Sequence, residues 1–284
     1  MTAESRRATR SLRSRRRGAV RLLLGLVALF WLVPGIAILV TSLRPATTYG
    51  ESGWWTALTD PSRLTLENYS SFVSDGDLIG TVWNSLLIAV PSTVLPVGLA
   101  AMSGYALAWG SFKGRNTLFL VIVALLVVPL HLALLPALEL FGLLNVSGLP
   151  AVWLFHTAFG LPFAVFLMRN YFATLPPEIL DAARVDGAGQ ARVFLTIALP
   201  LSKPALASLA VLQFIWTWND LLVALIFSGQ NRPFTVAIHQ RLDEFGSGIG
   251  VITPGVVIGA LIPIAVFLGL RRYFEAGIAR GAMR

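Results

Sequence analysis

Six apolar runs constrain this chain more than any other feature. Leu22–Leu43, Ile79–Trp109, Thr117–Leu138, Leu149–Met168 and Val251–Leu270 contain no Asp, Glu, Lys or Arg, and Ala205–Phe227 contains only Asp220. A helix rises about 1.5 Å per residue, so roughly 20 apolar residues cross the ~30 Å hydrocarbon layer of a bilayer. Every run reaches that length. Only 13% of the 284 residues are charged, half the share that keeps a soluble domain wet. These features predict an all-α membrane protein with six transmembrane helices. Pro91 and Pro96 fall inside the overlong second run, which predicts a tilted or kinked helix, or two pieces.

The net charge of +8 could suggest nucleic acid, but its distribution points elsewhere. Basic residues near span ends stay on the cytoplasmic side. With the N-terminus inside, only Arg44, Arg63, Arg232 and Arg241 of the 22 basic residues fall outside. An even number of spans also returns the basic C-terminus to the inside. The expected layout is N-in and C-in, with a cytoplasmic polybasic tail over residues 1–21, a six-span domain over 22–272 and a cytoplasmic tail over 273–284. The arginine-rich head precedes a run longer than a signal peptide's apolar core. No small-residue cleavage site follows before Arg44, so the head reads as an uncleaved cytoplasmic segment near anionic lipid.

Residues 44–78 read as an external connector of short helical or extended pieces, with turns at Asp60-Pro61 and Asp75-Gly76-Asp77. The chain contains no P-loop, no His-Glu-x-x-His pair and no Gly-x-Ser-x-Gly elbow, so no catalytic residue, metal site or cofactor is expected. His131, His156 and His239 each stand alone, and His131 and His156 read as packing residues within spans. Ionisable and amide groups inside spans are costly, which singles out Asn84, Glu139 and the Asn219-Asp220 pair. Asp220 reads equally as a helix cap or an interhelical hydrogen-bonding group.

The segment between the fourth and fifth runs carries the most specific pattern. A short helix starts on proline at Pro177, with Glu178 and Asp181 in its early turns, and stops at Asp186-Gly187. A second, from about Gly189 to Ile197, is expected to end before Pro200. The spacing reads Asp181-Ala182-Ala183, three residues, Gly187, nine residues, then Ile197-Ala198-Leu199-Pro200. It resembles the Glu-Ala-Ala loop of ABC importer permeases, here spanning residues 173–203, with Asp181 replacing the leading Glu. Further motifs resemble the carbohydrate-uptake branch of maltose-type transporters. They are Thr41-Ser42-Leu43-Arg44-Pro45, Glu67-Asn68-Tyr69, Asn84-Ser85-Leu86, Gly142-Leu143-Leu144-Asn145, Trp218-Asn219-Asp220 and Arg272-Tyr273-Phe274 with Gly277, Gly281 and Ala282.

The resemblance implies a subunit of a bacterial or archaeal plasma membrane importer. It would pair with a second permease subunit, two separate ABC ATPases and an extracytoplasmic solute-binding protein. It implies that Asp181, Ala182, Ala183, Asp186, Gly187, Ile197, Leu199 and Pro200 form the ATPase-coupling loop. For a sugar path, Trp216, Trp218, Asn219 and Asp220, with Asn84, supply aromatic faces and polar partners. The alternative for the tryptophans is packing against neighbouring helices or lipid. Rival functions are a peptide or amino-acid importer and an ion-coupled secondary carrier.

Overall fold

The structure, a computed structural model, describes residues 3–74, 78–241 and 249–281, and every regular element among them is helical. It divides into two compact units, Met1–Gly76 with Leu242–Ile258, and Asp77–Arg241 with Gly259–Arg284. In the first, α1 (Ala3–Ser42) runs without interruption through the basic head into the first apolar run. Phe30 and Trp31 on it are three-quarters exposed, as side chains meant for lipid would be. The connector then holds α2 (Thr56–Thr59) and α3 (Glu67–Ser74), with single 3-10 turns at Ala46–Thr48 and Pro61–Arg63. The expected turn at Asp75-Gly76-Asp77 lies outside the described residues.

Two of the sequence motifs lock together in this connector. The buried Arg44 guanidinium donates to Thr48 O at 3.0 Å and Ser52 O at 2.9 Å, and lies over the Tyr49 ring. Asn68 Nδ2 donates to Ser42 O at 3.0 Å and Arg44 O at 2.6 Å, while Tyr69 and Ser42 hydroxyls share a bond of 2.8 Å. Arg44 and Asn68 are therefore structural: each satisfies main-chain carbonyls where the chain leaves helix geometry.

The second unit is built on α4 (Leu78–Trp109), which remains one helix through both Pro91 and Pro96. Proline leaves the carbonyl four residues earlier without its helix partner. Those carbonyls belong to Leu87 and Ser92. Trp153 Nε1 donates to Leu87 O at 2.8 Å and Gln213 Nε2 to Ser92 O at 3.4 Å. Both donors come from other helices, so α4 stays intact because its neighbours replace what its prolines remove.

The third run departs from expectation. Instead of a single helix over Thr117–Leu138, α5 (Arg115–Ala124) and its terminal 3-10 turn end at Val127, and α6 (Leu130–Leu143) leaves at a bend of 103°. Pro129 accounts for the break, since it disfavours helical geometry at the preceding residue, and Val128 is extended at φ −68° and ψ 116°. After α7 (Leu149–Phe172) come α8 (Pro177–Val185) and α9 (Gln190–Val193), the latter continuing through a π turn, Phe194–Ala198, into α10 (Leu199–Leu201). This second loop helix therefore passes through Pro200 rather than ending before it. The Leu199 N–H already bonds Phe194 O, so the α-helical ladder has shifted where the proline enters.

The fifth run is also interrupted. α11 (Lys203–Trp218) stops, residues 219–221 break the helix, and α12 (Leu222–Phe227) follows. α13 (Phe234–His239) and α14 (Ile249–Gly281) complete the chain, with α14 continuing past residue 272. Among the described residues, four helices are individually long and apolar enough to cross a bilayer, and two bent pairs raise the number to six if each is one span.

The packed centre of this unit lies between α4, α7 and α11, where Ala100, Ala164 and Leu209 are fully buried. Gly104 sets the α4 to α7 approach: a Cβ there would lie 2.9 Å from both Met168 Cβ and Arg169 N. Gly104→Val should therefore separate the two helices at a cost of about 1–3 kcal/mol. A lower thermal unfolding midpoint of the detergent-solubilised protein is the expected result, with Gly98→Val, which meets nothing within 4 Å, as the insensitive control.

Candidate functional site

The segment singled out by its spacing folds into an exposed knob on a buried base. Glu178 enters α8 in its first turn, where the helix dipole favours an acid, and Arg184 closes the last turn. Asp181 Oδ1 accepts from Arg184 Nη1 at 2.7 Å. Gly187 stops the helix in the left-handed region, at φ +83°, and the N–H of Ala188 returns to Ala183 O at 3.0 Å. Ile179 and Val185 point outward, Val185 88% exposed, although both are apolar. Asp181, Ala182, Asp186 and Gly187 share that exposed side of the loop, and Pro200 is exposed on the following helix.

Beneath the knob, Leu180 and Val193 are fully buried among Tyr105, Met168, Phe172 and Leu175. Ala183 and Ile197 are partly buried against the same cluster, and Leu199 is half-buried. Polar ties fix the attachment. Tyr105 Oη donates to Gln190 Oε1 at 3.2 Å, Trp109 Nε1 to Phe172 O at 2.8 Å, and Tyr171 Oη to Leu201 O at 2.9 Å. The eight residues of the pattern thus divide by task, some presenting a surface and others anchoring it to the C-terminal ends of α4 and α7.

The candidate sugar-facing residues do not form one cluster. Trp218 is buried, stacked on Phe214 with ring centroids 5.6 Å apart, and donates through Nε1 to Gly259 O at 3.1 Å. That carbonyl lies four residues before Pro263, so Trp218 repairs a proline gap as Trp153 and Gln213 do. Asn84 Nδ2 donates to Arg232 O at 3.2 Å and its neighbour Ser85 accepts the Phe234 N–H at 2.8 Å, tying α4 to the start of α13. Asn219 bonds back to Ile215 O at 2.8 Å. Asp220 caps α12, with Oδ2 accepting the Ala224 N–H at 3.1 Å, and that oxygen also lies 3.8 Å from His156 Nε2.

Of the five, Trp216 lines a cavity. The space measures about 340 Å³ and is bounded by Phe159, Gly160, Phe163, Leu212, Gln213 and Trp216. A Cβ on Gly160 would lie 2.6 Å from Gln213 Nε2 and 2.8 Å from Oε1, so this glycine leaves room for the carboxamide. Gln213, Phe159 and Phe163 were not among the sequence candidates. Gln213 did carry a signal, as the single amide in the apolar stretch Ala205–Phe214, whereas the two phenylalanines are indistinguishable from lipid-facing residues without the tertiary structure.

Residues 76–280 match the family described as the binding-protein-dependent transport system inner membrane component. The chain belongs to that family. It is thus a permease subunit, not an enzyme, and ATP hydrolysis lies in separate subunits of such transporters. It is 41% identical to an osmoprotective-compound uptake permease of Synechocystis, over 91% of this chain and 89% of the relative. It is 44% identical to an alpha-glucoside transport permease of Rhizobium meliloti, over 87% and 67%. It also shares its fold with a bacterial ABC transporter chain involved in alginate import, at a TM-score of 0.73 and 23% identity, covering 92% and 97% of the two chains.

Because Trp218 works as a donor to a freed carbonyl, the permease should tolerate its loss poorly in stability rather than in substrate choice. Trp218→Phe keeps the stacking on Phe214 and removes the N–H, which should cost about 1–3 kcal/mol. A reduced melting midpoint with an unchanged order of preference among transported solutes is the expected outcome.

Proposed function

We propose that this permease forms half of the translocation path of a binding-protein-dependent carbohydrate importer in the bacterial or archaeal plasma membrane. It crosses the membrane six times, with both termini in the cytoplasm and each bent pair of helices serving one span or its continuation. It pairs with a second permease subunit, and together they receive solute from an extracytoplasmic binding protein and engage two ABC ATPases. The observation that carries the reading is the knob at Asp181 to Gly187, exposed at its tip and rigidly anchored at its base. Such an element transmits a push. When ATP closes the ATPase dimer, a cleft gripping the exposed Val185 and Ile179 moves Leu180 and Val193 with it, and through them α4 and α7.

Carbohydrate as the cargo is supported by the named relatives and by the cavity. The Rhizobium relative is named for alpha-glucosides, and a permease of Bacillus subtilis, 32% identical over 94% of this chain, is named for arabinooligosaccharides. A pyranose presents an apolar C–H face and hydroxyl edges. Phe159, Phe163 and Trp216 supply flat apolar surfaces, and the Gln213 carboxamide offers a polar contact beside them.

Two measurements test the proposal. Gly187→Val introduces strain of about 1–2 kcal/mol at a positive φ and places a side chain in open space on the knob. It should insert at normal levels yet lose at least about tenfold in uptake, with ATPase co-purification reduced. Wild-type uptake by that variant would remove the knob from the mechanism. Trp216→Ala should raise half-saturation for solute about tenfold with assembly unchanged, in keeping with the ~1.4 kcal/mol worth of a stacking contact.

A further inference from the structure

His156 is the least satisfied buried group in the second unit. Its side chain is 1% exposed, and among the described residues neither ring nitrogen has a hydrogen-bond partner. A buried imidazole without partners is costly, and native structures retain such a group where another arrangement or function requires it. Two neighbours define its position. The Trp216 indole meets it edge to face, with centroids 5.7 Å apart and planes at 84°. Asp220 Oδ2 stands 3.8 Å from Nε2, too far for a hydrogen bond.

The two neighbours differ in freedom. Asp220 is fixed at the helix break, its carboxylate accepting the Ala224 N–H at 3.1 Å and its carbonyl accepting the Thr235 hydroxyl at 2.9 Å. Trp216 is 40% exposed and forms part of the cavity wall. A shift of α7 by about 1 Å toward the break would bring Nε2 within bonding distance of Asp220, and helices slide by 1–2 Å in such transitions. Moving the ring to bond Asp220 would change its present edge-to-face contact with Trp216.

We propose that His156 is a positioning residue for translocation: it braces Trp216 against the cavity in the arrangement seen here, and releases it by bonding Asp220 in the other. The assignment rests on the cavity being part of the solute path. It adds that the cavity wall is set from behind, by a polar contact between α7 and the break between α11 and α12, so that the motion of α7 and the shape of the wall change together.

The chain has no cysteine, so a single Phe163→Cys substitution reports on the cavity. The assembled transporter, with its partner subunits and in lipid vesicles, is labelled at this position by a maleimide with and without a non-hydrolysable ATP analogue. The labelling rate should change about fivefold or more between the two states, the low end of coupling between distant sites. Adding His156→Phe, which keeps a ring against Trp216 but cannot bond Asp220, should reduce the difference to less than about twofold, whereas His156→Gln, which returns a donor, should restore it. In uptake, His156→Phe should lower the maximal rate, and Asp220→Leu should add little to that loss because both remove one contact. A labelling rate that never responds to nucleotide overturns the cavity reading itself. An undiminished response in His156→Phe, equal impairment by Phe and Gln, or multiplying effects of His156→Phe and Asp220→Leu overturns the role of His156 alone.

Discussion

The hydrocarbon layer offers no water to an orphaned carbonyl, and this permease places prolines inside the helices that form its centre. Each such proline frees a carbonyl that a neighbouring helix must satisfy or that remains unpaired at a cost of several kcal/mol. Leu87 O, Ser92 O and Gly259 O are answered by Trp153, Gln213 and Trp218. These three bonds do more than repair. They join α4 to α7, α4 to α11 and α11 to α14, so each proline becomes a point where one helix is registered against another.

The same logic explains why the polar and aromatic residues divide as they do. Gln213 contacts Ser92 O only at 3.4 Å while bordering the cavity, so it belongs both to the repaired backbone and to the wall. Trp218, two residues from Trp216, points into the protein and stacks on Phe214. Neighbouring tryptophans on one helix therefore have unrelated tasks, because successive helical residues face different directions.

The coupling proposed for the knob depends on how it is mounted. The exposed tip can touch another protein, but only the buried base makes such contact useful. Leu180 and Val193 share one cluster with Tyr105 of α4 and with Met168 and Phe172 of α7, and Tyr171 and Trp109 close main-chain ends on either side. Close-packed interiors transmit displacement rather than absorb it. A force applied at Val185 would reach the same helices whose carbonyls are tied to α11.

Much of this was legible in the sequence. Long charge-free runs and the short amphipathic segment at Pro177 follow from composition and periodicity, since a helix in lipid must be apolar over its length and a helix outside it need not be. The helix stop at Asp186-Gly187 was legible, and the structure adds that Gly187 makes it in the left-handed region. The spacing from Asp181 to Pro200 pointed to the family. What the sequence could not decide was which side chains meet. Pro129 bends the third run by 103°, while Pro91 and Pro96 leave α4 a single helix whose freed carbonyls are met by Trp153 and Gln213, residues distant along the chain. His156 read as a packing residue for the same reason. By itself the sequence determined the solvent this protein requires and the segments that are helical, because both depend on local chemistry. Only the tertiary structure decided which carbonyls are repaired, which tryptophan faces the cavity and which histidine stands behind it, because those depend on donors and acceptors brought together from separate helices.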